Sequence, residues 1–348
     1  MKTSLPVRQL GTTDMNITRV GVGAWAIGGD EWGKQNDDDS VAAMSRAVDL
    51  GVNWIDTAPI YGRGHSEEVV ARFLRGKSAD QRPYVFTKCG LVWDAKKRGS
   101  EVRRLLTAES IRRECEQSLR RLQIDRIDLY QFHWPDDQGT PVEASWRVME
   151  DLEKQGKVRT IGVSNFDVSL LRKIDALTHV QSLQPPFSLI RRDVAASEIP
   201  WCNANRTGVI AYSPMQAGLL TDSFSLEKVR KMSDDDWRKT AQYFQTPHVE
   251  KNIALRDALK PIAQRHNTTV AAVALGWVLA WPGMTGAIVG ARSASQVDGW
   301  IGAASLTLTS ADLDEIAAAI DRTGAGTGPT RPPSPKRAGV AEAAAEAR

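Results

Sequence analysis

Short β-type apolar runs recur along this 348-residue chain, and between them lie longer stretches with helical spacing. Strands are expected at 17–23, 53–56, 84–88, 127–133, 158–163, 180–184, 208–212 and 286–289. Helices are expected at 39–50, 67–74, 108–122, 141–155, 168–176, 194–203, 249–266 and 270–280. Strands that alternate with helical patterns imply right-handed βαβ units and a parallel sheet. Eight such units at this length predict an α/β protein, a single (βα)8 TIM barrel over residues 1–322.

Three segments fall outside the repeat. Residues 7–11 and 16–18 flank a turn at 12–15 and read as a β-hairpin before the first barrel strand. Residues 221–245 form a long polar connection after the seventh strand, with Asp234, Asp236 and Trp237. A connection of that length is a functional lid or has no fixed structure, and the catalytic face of a barrel favours the lid. Residues 323–348 are rich in Pro and Ala, cannot bury a core, and read as a flexible tail.

Composition narrows the function. Hydrophobic residues make up 42% and charged residues 25%, so the bulk of the chain is neither disordered nor fibrous. The formal net charge is +3, and part of that excess lies in the closing segment, through Arg331, Lys336, Arg337 and Arg348. The body is therefore close to neutral, which gives no nucleic-acid footprint. No run of about 18 apolar residues points to a membrane. Cys89, Cys115 and Cys202 are too scattered for a disulfide framework or a zinc site. A reducing, cytoplasmic setting is the expectation. Oligomeric state has no signature in the sequence.

Two motifs are rejected on context. Gly21-Val-Gly-Ala-Trp-Ala26 matches a dinucleotide fingerprint but runs into the Gly-rich stretch 27–33 instead of opening a helix. Gly162-Val-Ser-Asn-Phe166 has Phe where a nucleophile elbow needs its second glycine.

The chemistry-bearing residues lie at the C-terminal ends of three successive strands, where barrel enzymes place catalytic groups. Asp56 ends the second strand, with Tyr61 in the loop beyond it; Lys88 ends the third and His133 the fourth. Singly, each has a bland alternative: a helix cap, a surface lysine, a hydrogen-bonded core histidine. Together at one mouth they make a site. Adding hydride to a carbonyl leaves an alkoxide that needs a proton. A lysine ammonium about 4 Å from a phenol, at an effective dielectric near 20, lowers its pKa by roughly three units. Tyr61 is thereby expected to be an acidified proton donor, with Asp56 orienting Lys88 and His133 orienting the carbonyl. No His/Cys/carboxylate cluster suggests a metal.

The blocks GVNWIDTAPIYGRGHSEE, TKCG, IDLYQFHWPD, GKVRTIGVSNF, AYSPMQAGLL and IVGARSASQ, in this order, resemble the aldo-keto reductase family. The pattern is most similar to bacterial members with a G-A-R-x-x-x-Q cofactor motif. The resemblance implies NADPH-dependent reduction of an aldehyde or ketone, with Asp56, Tyr61, Lys88 and His133 as the catalytic tetrad. It also implies that Ser164, Asn165 and Gln184 hold the nicotinamide amide and that Tyr212 stacks on its ring.

The loops after strands seven and eight are where barrels often bind phosphate. Ser213, Pro214, Gly218 and Leu220 belong to the first, Gly290, Arg292, Ser293 and Gln296 to the second. Ser293 and Gln296 have capping-box spacing, so a helix N-terminus is expected there. Arg292 beside it suits a 2′-phosphate, favouring NADPH over NADH. Gly299 and Trp300 stand where a Glu/Asn pair often meets the adenine in the family, so Trp300 is expected on or near the base.

Four of the eleven tryptophans, Trp25, Trp32, Trp93 and Trp134, fall in mouth loops. Trp25, Trp93 and Trp134 are expected to wall a substrate pocket suited to an aromatic aldehyde or a sugar. Arg63 and His65 are exposed loop residues or contacts for an anionic substrate group. Two other functions fit the same residues: a reductase-like regulatory subunit that binds NADPH with little turnover, and a Schiff-base lyase acting through Lys88.

Overall fold

The computed structural model describes residues 4–333 except 30–31, 33–34, 79–80, 95–96, 98–99 and 235. A hairpin of β1 (Val7–Gln9) and β2 (Asn16–Thr18) comes first. The chain continues through β3 (Val20–Gly23), β4 (Trp54–Asp56) and β5 (Tyr84–Cys89). A second short hairpin, β6 (Leu91–Val92) with β7 (Arg103–Arg104), follows in the loop after β5. Then come β8 (Ile127–Phe132), β9 (Val158–Ser164), β10 (Ser182–Gln184), β11 (Gly208–Ala211) and β12 (Met284–Gly290). Among the described residues, β3, β4, β5, β8, β9, β10, β11 and β12 close in that order into a parallel eight-stranded barrel. The (βα)8 barrel predicted from the alternation is the fold.

Helices surround it: α1 (Asp37–Asp49), α2 (His65–Leu74), α3 (Ala108–Leu122), α4 (Val142–Lys154) and α5 (Val168–Asp175). The second half adds α6 (Glu198–Asn205), α7 (Leu226–Arg230), α8 (His248–Ala258) and α9 (Lys260–Arg265). The last three are α10 (Val270–Leu279), α11 (Ala294–Asp298) and α12 (Ser310–Thr323). Residues 249–266, one helix by periodicity, are two, because Pro261 enters the first turn of α9. Residues 194–203 likewise begin as a 3-10 turn, Asp193–Ala195, before α6.

The interior is layered because alternate strand residues face inward. Trp54, Phe86, Leu129, Ile210 and Ile288 form the lower layer, and Leu10, Met15 and Ile17 of the first hairpin plug it from below. Gly21 has no side chain because a Cβ there would stand 2.1 Å from the Trp54 indole. Two residues beyond Trp54, Phe86 and Leu129 stand Asp56, Lys88 and Gln131, and Gln184 of β10 joins them, all buried. Alternation turns both sets inward, and the residue types make the upper layer polar and the floor apolar.

Residues 324–333, placed in the tail by composition, lie along the barrel. Arg192 Nε donates to Gly328 O at 3.2 Å, and Arg331 Nε pairs with Asp314 Oδ1 at 2.6 Å. Residues 334–348 lie outside the described residues. Among the described residues, no helix is long and apolar enough to cross a membrane.

Candidate active site

Tyr61 follows β4 in a tight turn. Gly62, Arg63 and Gly64 all have positive φ (61°, 53° and 105°), and α2 begins at the next residue. A Cβ on Gly62 would lie 2.1 Å from Gly28 O, so the turn needs glycine to pack backbone against backbone. Arg63, which tolerates the left-handed region less well, is held by Ser100, its Nη1 to Oγ at 3.2 Å and its Nη2 to O at 3.1 Å.

The four expected side chains meet. Lys88 Nζ donates to Asp56 Oδ1 at 2.6 Å, to Thr57 O at 3.0 Å and to the Tyr61 hydroxyl at 3.3 Å. His133 lies edge-on to Tyr61, with ring centroids 5.7 Å apart. Lys88 is fully buried and Asp56 2% exposed, so this ion pair works in a medium where charge is costly.

Burial pushes the Tyr61 phenol well above its ordinary value, and the Asp56 carboxylate pushes the same way. Burial lowers the Lys88 ammonium, while Asp56 opposes that fall. Burial, and the Lys88 charge after it, hold the His133 imidazole well below its ordinary value. The expected acidification of Tyr61 is therefore corrected. Burial of the phenol is the larger effect, and the Asp56 carboxylate beside the ammonium adds to it. Tyr61 keeps its proton, and His133 is a neutral hydrogen-bond partner.

Beside the four lies a layer of amides. Gln184 Nε2 donates to Asp56 Oδ2 at 2.8 Å, a link that the sequence did not signal. Ser164 Oγ donates to Gln184 O at 2.7 Å, and Asn165 Nδ2 to His133 O at 2.9 Å. Tyr212 OH donates to Asn165 Oδ1 at 2.9 Å.

A cavity of about 650 Å³ opens over this layer. Asp56, Tyr61, Gln184 and Tyr212 line one part of it; Ser213, Pro214, Gly218, Gly290, Arg292, Gln296 and Trp300 line another. Leu220 is buried and does not line it, and Ser293 Oγ is taken up by Ser295 Oγ at 3.1 Å. The capping box expected at Ser293 does not form. No side-chain cap bond comes from Ser293, and Gln296 Oε1 accepts the Arg292 N–H, one residue before the cap, at 2.8 Å. Arg292 reaches back to the loop after β3, its Nε to Gln35 Oε1 at 2.6 Å and its Nη1 to Trp32 O at 3.0 Å.

Residues 221–234 and 236–245 cross the mouth. Thr221, Phe224, Lys228, Met232 and Arg238 line the cavity, and Trp237 stacks on Trp25 with centroids 5.5 Å apart. Arg238 lies 4.8 Å over Trp32 and pairs with Asp236. Lys228 and Arg238 had no signal beyond a polar loop. Trp25 and Trp32 line the cavity; Trp93 sits under Arg63 and Trp134 under Arg104, outside that lining. Among the described residues, no group of three or more His, Cys, Asp or Glu is placed to hold a metal.

The chain matches the aldo/keto reductase family over residues 19–321. It belongs to that family. It is 34% identical over 312 residues to an aldo-keto reductase of Bacillus subtilis (strain 168), covering 89% of this chain and 92% of the relative. To the NADH-specific methylglyoxal reductase of Escherichia coli (strain K12) it is 33% identical over 326 residues, covering 90% of this chain and 98% of the relative. A glycerol dehydrogenase structure from Gluconobacter oxydans superposes with a TM-score of 0.84 at 35% identity, covering 93% of this chain and 98% of that one. The chain is thus an oxidoreductase acting between carbonyl and alcohol groups with a nicotinamide cofactor.

That cofactor can be tested against the residues present. Amide and hydroxyl groups stand beside Tyr61, and the cations Lys228, Arg238 and Arg292 line the same cavity, as a molecule with a carboxamide at one end and phosphates beyond it requires. The donor set fits.

Proposed function

We propose that the protein reduces an aldehyde or ketone to the alcohol with NADPH, and that Tyr61 supplies the proton. The observation that carries this is the contact of Lys88 Nζ with both Asp56 Oδ1, at 2.6 Å, and the Tyr61 hydroxyl, at 3.3 Å. The reduced nicotinamide, when bound, supplies the hydride. Negative charge grows on the carbonyl oxygen, and the Tyr61 O–H transfers its proton there, forming the alcohol O–H and leaving a phenolate. Lys88 stabilises that phenolate, which is where its ammonium acts. Asp56 keeps Lys88 charged and aimed, and Gln184 holds the second Asp56 oxygen. Neutral His133 donates to the carbonyl oxygen and sets its angle. Solvent protons restore Tyr61.

Ser164, Asn165 and Gln184 would hold the nicotinamide amide and Tyr212 its ring, with Trp300 toward the adenine. Arg292, with Lys228 and Arg238, supports NADPH; the NADH specificity in the name of the Escherichia coli relative is a property of that protein. Methylglyoxal and glycerol, in the names of two relatives, point to small carbonyls, and the Trp25–Trp237 stack points to flat apolar ones. The three cysteines are buried free thiols, and on that ground we propose a reducing, cytoplasmic compartment.

A steady-state screen of three-carbon, sugar and aromatic aldehydes with NADPH and with NADH tests this. Turnover with NADPH on at least one class is expected. Cofactor binding without turnover on any class would favour a regulatory subunit, and borohydride trapping of substrate on Lys88 would favour a lyase.

A further inference from the structure

Tyr61 and Lys88 come from different elements, and their 3.3 Å contact survives only if those elements keep a fixed separation. Lys88 sits on β5 and points into the barrel. Thr87, its neighbour, therefore points out, toward α2. α2 starts four residues after Tyr61, behind the left-handed turn described above, so the placement of α2 sets the placement of the phenol.

Glu67 stands on the first turn of α2 with no exposed surface. Its Oε1 accepts the Thr87 hydroxyl at 2.7 Å, and its Oε2 pairs with Arg121 Nε of α3 at 2.6 Å. Arg121 also packs on the turn, since a Cβ on Gly64 would meet its Cδ at 2.9 Å. Ser66, one residue earlier, bonds Thr57 Oγ1 at 2.8 Å and Ala24 O at 2.9 Å, so the start of α2 is pinned to three strands or the loops that follow them.

We propose that Glu67 is a positioning residue for carbonyl reduction: from outside the barrel it ties the helix that follows Tyr61 to the strand that carries Lys88. The inference rests on Tyr61 being the proton donor. Its carboxylate also favours the charged form of Lys88, across the strand.

Thr87→Val removes the tie without changing any charge and nearly conserves volume, and Thr87→Ser restores the hydroxyl. Glu67→Gln keeps the shape but leaves Arg121 short of a charge partner, so Thr87→Val decides if that variant folds poorly. For Thr87→Val, kcat should fall about tenfold, the scale of a sub-ångström misplacement of reacting groups. KM for the carbonyl and Kd for NADPH, read by tryptophan quenching, should stay within about twofold. The deuteride isotope effect on kcat should rise toward its single-turnover value, and Thr87→Ser should recover most of the rate. Unchanged kcat overturns the proposal. So does a fall in kcat matched by weaker NADPH binding and a lower Tm, or a failure of Thr87→Ser to rescue. The Tyr61→Phe variant is run in parallel: if it keeps its turnover, the donor assignment fails; if only it loses turnover, the Glu67 inference alone fails.

Discussion

The fully buried Lys88 ammonium lies 3.3 Å from the phenolic oxygen of Tyr61, which lines the cavity. Asp56, 2.6 Å from the same ammonium, balances its charge, so the resting pair is neutral overall and the phenol keeps its proton. The ammonium becomes useful when the proton leaves. An unpaired phenolate in this setting is costly, and Lys88 meets it at hydrogen-bond distance.

The pH dependence follows from these directions. Reduction needs the protonated phenol, and burial raises the Tyr61 pKa, so kcat for reduction should stay level from pH 6 to 9. Oxidation of the alcohol needs the phenolate and should rise with pH over the same range. His133 is held below its ordinary value, so neither direction should show a limb near 6.5. Rate profiles measured both ways check all three points, and a histidine limb in reduction would contradict the neutral imidazole.

Arg292→Ala should weaken NADPH at least about tenfold, the value of one hydrogen bond to a charged group. NADH should weaken about threefold or less. The control matters because Arg292 also holds Gln35 and the Trp32 carbonyl, and losing those bonds affects both cofactors alike. Equal weakening, measured by fluorescence titration, would mean that the guanidinium orders the loop and does not read the 2′-phosphate.

Glu114 gives a stability prediction remote from the chemistry. Its carboxyl accepts the Gly90 N–H at 3.0 Å and the Ser110 hydroxyl at 2.9 Å, and burial raises its pKa to about 7. Between the ordinary glutamate value and 7 the folded state binds more protons than the unfolded one, so this group's contribution to stability falls as pH rises. Glu114→Gln keeps the shape and removes the titration. Its Tm relative to the parent should be near zero at pH 5 and positive at pH 8, by an amount equivalent to at most about 3 kcal/mol. A difference independent of pH would contradict the assignment.

Period and punctuation made the barrel legible. All eight barrel strands were expected, because parallel strands buried on both faces read as apolar runs between helical stretches. The three residues at the strand ends were legible because Asp56, Lys88 and His133 interrupt such runs. Tyr61 was placed by the loop pattern and by the family resemblance. What the sequence hid was side-chain reach. Gln184 Nε2 bonding Asp56, Arg292 reaching Gln35, and Trp93 and Trp134 turning under arginines depend on distances across the barrel that no local pattern encodes. The direction of the Tyr61 pKa was hidden for the same reason: the sequence supplies both the ammonium and the carboxylate, and only the fold buries the phenol beside them.

The most direct test of the donor assignment is the single-turnover rate of Tyr61→Phe, preloaded with NADPH and mixed with the best carbonyl from the substrate screen. Loss of about 10² or more in that rate, with the Kd for NADPH within about threefold of the parent, is the predicted result. A rate near that of the parent would contradict it.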